Sequence, residues 1–281
     1  MSATRPRPLV LGAVATDPKV VTVWETFQSY FIQRGLPFEY VLYSSYGQQV
    51  LGLFEGHCHV ALNSPLAWIE AERLAVARGR KASAIAMRDT DRDLRSVIVA
   101  RRERDIATIA DLKGRRVAVA AKDSPQATLL PLELIAQAGL EPGRDVEVMY
   151  FNAAMGKHGA HIGNERDAAK ALMRGNADAC CLLEDNRSLF EHEGILPTDA
   201  IHIVATTEPF DKCNITVLDG APQLLIERFV AVLLAMSHAD PQARRLLDMD
   251  GAKQWLPGRL SGYVALSRAV DRFNVFSRTF R

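Results

Sequence analysis

Residues 56–68 read Gly56-His57-Cys58-His59-Val60-Ala61-Leu62-Asn63-Ser64-Pro65-Leu66-Ala67-Trp68, and the order of residue types in this stretch decides the fold. A short apolar run, residues 60–62, ends in a polar capping residue followed at once by proline. The serine side chain accepts a hydrogen bond from a free first-turn amide, and proline at the first helical position loses no intrahelical bond and starts with φ already helical. The pattern is a strand feeding a helix. It recurs where residues 9–15 run into Asp17-Pro18 and where residues 117–120 run into Ser124-Pro125. A fourth junction has no proline: residues 146–152 pass through a glycine-rich loop to Asn164-Glu165-Arg166-Asp167. In open α/β sheets such junctions gather at the carboxyl ends of the strands, where helix N-termini present unpaired amides to small anions. The expected consequence is a ligand cleft.

On either side of these junctions the apolar spacing extends the same alternation. Val21, Trp24, Phe27 and Phe31 recur at three- and four-residue intervals and predict a helix over residues 20–34. Further helices are expected over 47–55, 65–78, 129–138, 168–174, 222–237 and 241–247, with strands over 38–42, 83–87, 96–100, 179–183, 201–206 and 215–218. Alternating strands and helices imply mostly parallel sheets and right-handed crossovers.

At 281 residues the chain suffices for two medium domains. Its 48% apolar and 24% charged residues exclude a disordered or fibrous chain. A formal charge of +1 without a basic run gives no electrostatic footprint for nucleic acid or an anionic membrane. No apolar stretch approaches the ~20 residues that span a bilayer, so no membrane insertion is expected. Arg5 and Arg7 precede the apolar residues 9–15, and Ala13-Val14-Ala15 copies the outline of a signal-peptidase site. Cleavage there would remove the strand that Asp17-Pro18 follows. The segment is therefore read as the first strand, and the protein is expected to be cytoplasmic with Cys58, Cys180, Cys181 and Cys213 as reduced thiols.

Residues 56–68 resemble the Gly-x-x-Asp-Val-Ala-x-x-x-Pro-x-Ala-Tyr segment of the phosphate and phosphonate branch of the bilobal solute-binding proteins of bacterial ABC transporters. Asp111-Leu112-Lys113-Gly114-Arg115-Arg116 resembles that branch's Asp-Leu-Lys-Gly-Lys lead into the second lobe, and Ser124 to Pro131 follows its binding turn. Asp167-Ala168-Ala169-Lys170-Ala171-Leu172-Met173-Arg174-Gly175-Asn176-Ala177-Asp178-Ala179 is similar to its Asp-Ala-x-x-Ala-Val-x-x-Gly-x-x-Asp-Ala helix and strand. The resemblance implies an α/β, two-lobed type II periplasmic-binding-protein-like fold. Each lobe would be a mostly parallel sheet flanked by helices, with a two-strand hinge. Residues 1–98 and 208–281 would form the first lobe and 99–207 the second. Two residue departures stand out: the motif's aspartate is His59, and the family's Ser-His before Asp-Ala is Glu165-Arg166.

Several constellations suggest chemistry. In Met155-Gly156-Lys157-His158-Gly159-Ala160-His161-Ile162-Gly163-Asn164-Glu165, the glycines prevent a stable helix and place both imidazoles on a loop. His158 and His161 with a nearby acid can supply ligands to a divalent transition metal such as zinc. An equal reading is an anion loop in which His158 or Lys157 meets a carboxylate or phosphate. Cys213 would lie where the chain re-enters the first lobe, and its thiolate would complete a thiophilic site; the alternative is a buried structural thiol. Cys180 and Cys181 point to opposite faces of a strand. His57 and His59 precede their strand and read as structural. Thr16, Lys19, Tyr46, Asn63, Ser64, Ser124, Gln126 and Thr128 sit at the junctions and can bind a small carboxylate or phosphate, although capping alone explains several of them. No nucleophile elbow, P-loop, dinucleotide fingerprint or Cys-x-x-Cys pair occurs.

The leading expectation is a cytoplasmic metal-dependent enzyme acting on a small anionic metabolite in the interlobe cleft. His158, His161 and Cys213 would hold the metal, and Glu165 or Glu184 would accept a proton. Soft ligands suit hydrolytic desulfuration of a thiohydantoin-type heterocycle. The alternative is a non-catalytic solute-binding protein of the ABC-transporter type for phosphonate, phosphate or a similar anion. A sensor domain is a third reading with no sequence feature in its favour. The sequence carries no sign of oligomeric state.

Overall fold

The computed structural model describes residues 7–151, 158 and 162–276, and the chain divides into two compact units. The first comprises Met1–Arg92 with Asp211–Ser261, the second Asp93–Phe210 with Gly262–Arg281. The chain opens in the first unit with β1 (Leu9–Val14), α1 (Lys19–Gln33), β2 (Phe38–Tyr43), α2 (Tyr46–Phe54), β3 (Val60–Asn63), α3 (Pro65–Ala77) and β4 (Ala82–Arg88). The second unit follows with β5 (Ser96–Arg101), β6 (Arg116–Val119), α4 (Leu130–Gln137), β7 (Glu147–Tyr150), α5 (Ile162–Met173), β8 (Ala179–Leu183), α6 (Glu184–His192) and β9 (Ile201–Thr206). Back in the first unit come β10 (Asn214–Leu218), α7 (Gln223–Leu234), α8 (Pro241–Asp250) and β11 (Trp255–Pro257), and α9 (Val264–Arg272) closes the second.

Each unit is an α/β sheet flanked by helices. The first sheet has the order β11-β4-β10-β3-β1-β2, with β1 parallel to β2 and β3, and β10 antiparallel to β3 and β4. The second has the order β7-β6-β8-β5-β9, with β6 parallel to β7 and β8, and β5 antiparallel to β8 and β9. Alternation along the chain suggests mostly parallel sheets. The structure instead joins a parallel trio in each unit to antiparallel strands, because β5 and β10, the first strands after the chain changes unit, each enter their sheet in reverse.

The capped junctions form as the residue types require. Asp17 Oδ1 accepts the Lys19 amide at 2.8 Å, Ser64 Oγ the Ala67 amide at 3.2 Å, and Ser124 Oγ the Ala127 amide at 3.3 Å. Ser45 caps α2 in the same way. The Ser124 junction is wider than an α-helical start: Pro125–Leu129 is a π-type turn in which the Leu129 amide reaches Ser124 O at 3.0 Å.

Packing follows the spacing of the apolar residues. α1 buries Trp24, Phe27, Tyr30 and Phe31. The Phe31 ring lies 4.7 Å from Phe38 and 5.2 Å from Phe229, centroid to centroid. Each such ring contributes about 1.5–3 kcal/mol by leaving water. In the second unit β8 divides two cores. Cys180 faces Ala168, Leu172 and Phe190, while Cys181 faces Val117, Leu132 and Ile135. Both cysteines are fully buried free thiols. The C-terminal segment packs in the second unit: Leu266, Ala269 and Val270 of α9 are buried, and Arg272 Nε meets Glu133 Oε2 of α4 at 2.6 Å.

Candidate functional site

In the first unit, β1, β2 and β3 run in parallel, so the residues after them share one end of the sheet. Thr16 follows β1 and is half-buried, while Lys19 opens α1 and is exposed. Tyr46 begins α2 and is buried, which raises its phenol pKa. Asn63 ends β3, fully buried in an amide network. It accepts Gln49 Nε2 at 2.7 Å and donates to Thr216 Oγ1 at 2.9 Å; Thr216 in turn donates to Asn214 Oδ1 at 2.7 Å. Ser64 caps α3.

Because β10 is antiparallel to β3, with Asn214 opposite Asn63, Cys213 arrives at this same end. There it meets a charged network that the motifs do not announce. The half-buried Arg88 guanidinium bridges Asp91 at 2.5 Å and Asp250 at 2.8 Å, and Asp91 Oδ1 accepts the Cys213 amide at 3.2 Å. Burial, reinforced by Asp91, pushes the Cys213 thiol up to about 12. Burial likewise raises the Asp250 carboxyl, with Arg88 pulling it back. A thiol held protonated beside carboxylates is a weak nucleophile and a poor thiolate donor. Only the Arg88-to-Asp91 spacing of three residues could have signalled this cluster in the sequence. The buried Asp211, gripped bidentately by Arg259 at 2.6 and 2.7 Å, had no such signal.

In the second unit the corresponding end is formed after β6 and β8. Ser124 and Gln126 are buried in the π-type turn. Gln126 Nε2 donates to Glu165 Oε1 at 3.1 Å, and Glu165 Oε2 accepts the Leu183 amide and Asn186 Nδ2, both at 2.9 Å. Glu165 thus ties the turn to the β8–α6 junction. The next residue, Arg166, turns outward to a bidentate pair with Glu193 at 2.8 and 3.0 Å. Glu184 begins α6 and is half-buried. Thr128 is buried in the same turn, with no hydrogen bond to its hydroxyl among the described residues.

His158 belongs to the second unit and Cys213 to the first, and His161 lies outside the described residues. The His158 amide donates to Asp123 Oδ2 at 3.2 Å, in a backbone conformation with φ of 50°. Burial pushes its imidazole down to about 4, so the ring is neutral at pH 7. Among the described residues no group of three or more His, Cys, Asp or Glu side chains is placed to hold a metal ion. His59 serves the sheet, its Nδ1 accepting the Val10 amide at 2.9 Å. No helix among the described residues is long and apolar enough to cross a membrane.

Comparison with known proteins bears on this geometry. The profile of a family described as the phosphonate periplasmic substrate-binding protein of ABC transporters matches residues 13–263. No curated protein matches the chain. Among solved structures, a Prochlorococcus marinus protein in complex with methylphosphonate shares 17% identity over 96% of this chain and 99% of its own, with a TM-score of 0.67. A Xanthomonas citri protein bound to ATP shares 18% over 96% and 99%, with a TM-score of 0.74. The periplasmic aliphatic sulphonate binding protein of Escherichia coli shares 17% over 98% and 93%, with a TM-score of 0.55. The fold is that of the type II periplasmic binding proteins.

These findings correct the leading expectation. A family of substrate-binding proteins has no bond to break, so the metal-dependent hydrolase and the thiohydantoin desulfurase are both overturned. The expected cytoplasmic location is overturned as well, since the family is periplasmic.

Proposed function

We infer the function from the family to which this chain belongs, the phosphonate-binding periplasmic substrate-binding proteins of ABC transporters. The protein captures a small oxyanion of the phosphonate class and releases it unchanged. The single observation that carries this reading is the family match over residues 13–263. The capped helix starts support it: Ser45, Ser64 and Ser124 each end an extended segment and begin a turn or helix whose first amides suit an oxyanion. Tyr46, Gln126 and Glu184 stand beside those starts and are the side chains offered for ligand contact.

The test is calorimetric titration with methylphosphonate, followed by phosphate, an alkanesulfonate and ATP. Methylphosphonate is expected to bind one to one with a dissociation constant of about 1 μM or below, equivalent to roughly −8 kcal/mol. It should be recovered unaltered by phosphorus NMR. Turnover, or heat only with ligands lacking a carbon–phosphorus bond, overturns the assignment.

A further inference from the structure

In the first unit, α1 and α8 leave between them a groove of ≈ 210 Å³. Where α1 ends, the groove is pinned shut: Arg34 lies 3.4 Å from the Tyr30 ring centroid, pairs with Asp240 at the start of α8 and donates to Gln242 Oε1 at 3.4 Å. The buried Tyr30 and Leu246 form its floor. A cavity of about 150 Å³ holds benzene, so this groove has room for one ring with substituents.

Three observations define the occupant. First, Tyr30 is only 5% exposed, yet its hydroxyl is neither sealed from water nor hydrogen-bonded by any described residue. Because Tyr30 lines the groove, the groove is what that hydroxyl opens on, and a ligand atom can reach it. Second, the wall offers a cation in need of a partner. Arg245 is exposed, with no ion pair or hydrogen bond to its guanidinium among the described residues, and the exposed Gln33 amide is equally free. No acidic side chain lines the groove among the described residues, and Asp240, whose charge reaches Tyr30, is already engaged by Arg34. Third, the hydroxyls on the α1 side are half spent. Thr26 Oγ1 donates to Thr22 O at 2.7 Å and Ser29 Oγ to Glu25 O at 3.1 Å, so each has only acceptor capacity left. A bare oxyanion would satisfy Arg245 and bring no donor for these two oxygens. An ammonium would bring donors and meet no carboxylate.

We propose that this groove is a second small-molecule site, for a hydroxylated carboxylate the size of one sugar ring, the chemistry of a uronic acid. Arg245 takes the carboxylate, Thr26 and Ser29 accept from ligand hydroxyls, and Tyr30 donates to a ligand oxygen from the floor. The site stands independently of phosphonate capture, in which none of these residues is invoked.

The probe is D-glucuronate, titrated into the full chain by calorimetry with and without saturating methylphosphonate. The expected result is one site per chain, unaffected by methylphosphonate. D-Glucose, which lacks the acid, and cyclohexanecarboxylate, which lacks the hydroxyls, should each bind at least about tenfold more weakly. Arg245→Met and Tyr30→Phe should each weaken D-glucuronate by about tenfold or more while leaving the response to methylphosphonate as in wild type. Tyr30→Phe should also leave the melting temperature of the ligand-free protein unchanged, because the hydroxyl it removes has no partner in the protein to lose. D-Glucuronate binding in a protein that ignores methylphosphonate would sustain this site while the phosphonate assignment fell. The proposal is overturned by the absence of D-glucuronate binding, by displacement with methylphosphonate, by comparable affinity for D-glucose or cyclohexanecarboxylate, or by undiminished binding in either variant.

Discussion

Glu165 is 1% exposed and meets its three donors, Gln126, Leu183 and Asn186, without an arginine or lysine in the hydrogen-bonded set. Read in the sequence, it is an acid next to a histidine loop and a natural proton acceptor. Its partners lie 18 to 39 residues away and leave no mark in local spacing. With both oxygens occupied, it is a positioning residue for the turn that carries Gln126. Glu165→Gln places an amide donor against N–H groups whichever way it turns, and should cost about 1–3 kcal/mol in urea unfolding. Unchanged stability would show that the ties are dispensable. His158 gives a pH dependence of definite sign. Burial lowers its imidazole from 6.5 to about 4, so between those values the unfolded chain binds a proton that the folded protein refuses. Its contribution is complete above about 6.5 and is lost as the pH falls toward 4. His59 is lowered by burial too and adds a slope of the same sign, so the measurement is the difference between wild type and His158→Asn. The variant should show the flatter rise of unfolding free energy with pH, and parallel curves would contradict it.

Elements were legible where one residue type forces one geometry. The Asp17-Pro18, Ser64-Pro65 and Ser124-Pro125 junctions all appear at strand-to-helix transitions, because capping and proline act within one turn of chain. The direction of β5 and β10 was not legible, since it depends on which unit the chain is entering, and periodicity carries no such information. The π-type turn at Pro125–Leu129 was equally hidden, and the Gln126 contact with Glu165 that accompanies it joins residues 39 apart in the chain. β1 illustrates a tertiary constraint on an apolar run. A Cβ at Gly12 would stand 2.8 Å from Cys58 Sγ and 3.1 Å from Tyr43, and Tyr43 itself lies against Cys58. Gly12→Ala should therefore destabilise the first unit by about 1–3 kcal/mol through overpacking. In a Cys58→Ala background the sulfur is gone and the penalty should shrink, a non-additivity measured by a double-mutant cycle of urea unfolding. Strict additivity would mean that the sulfur is not the obstacle.

At the scale of the whole molecule, each unit is assembled from two separate stretches of chain, and the second receives its last helix from residues 262–281. Sequence resemblance alone groups everything after residue 208 together, since a family pattern fixes the order of elements and not which core a terminal helix joins. The physical tie is explicit. α9 buries Leu266, Ala269 and Val270, and Arg272 supplies the cation for Glu133, which is 3% exposed in α4. Removing residues 262–281 takes away that apolar face together with the only cation recorded against Glu133 among the described residues, and a buried carboxylate stripped of its partner is strongly destabilising. A chain ending at Ser261 should then lose hydrogen-exchange protection in α4, β6 and β7, while β1, β2 and β3, whose core includes Phe31, Phe38 and Phe229, keep theirs. Arg272→Ala alone should loosen α4 in the same direction and by less. Retained protection of α4 in the shortened chain would show that its packing against β6, and not the closing helix, holds the second unit together.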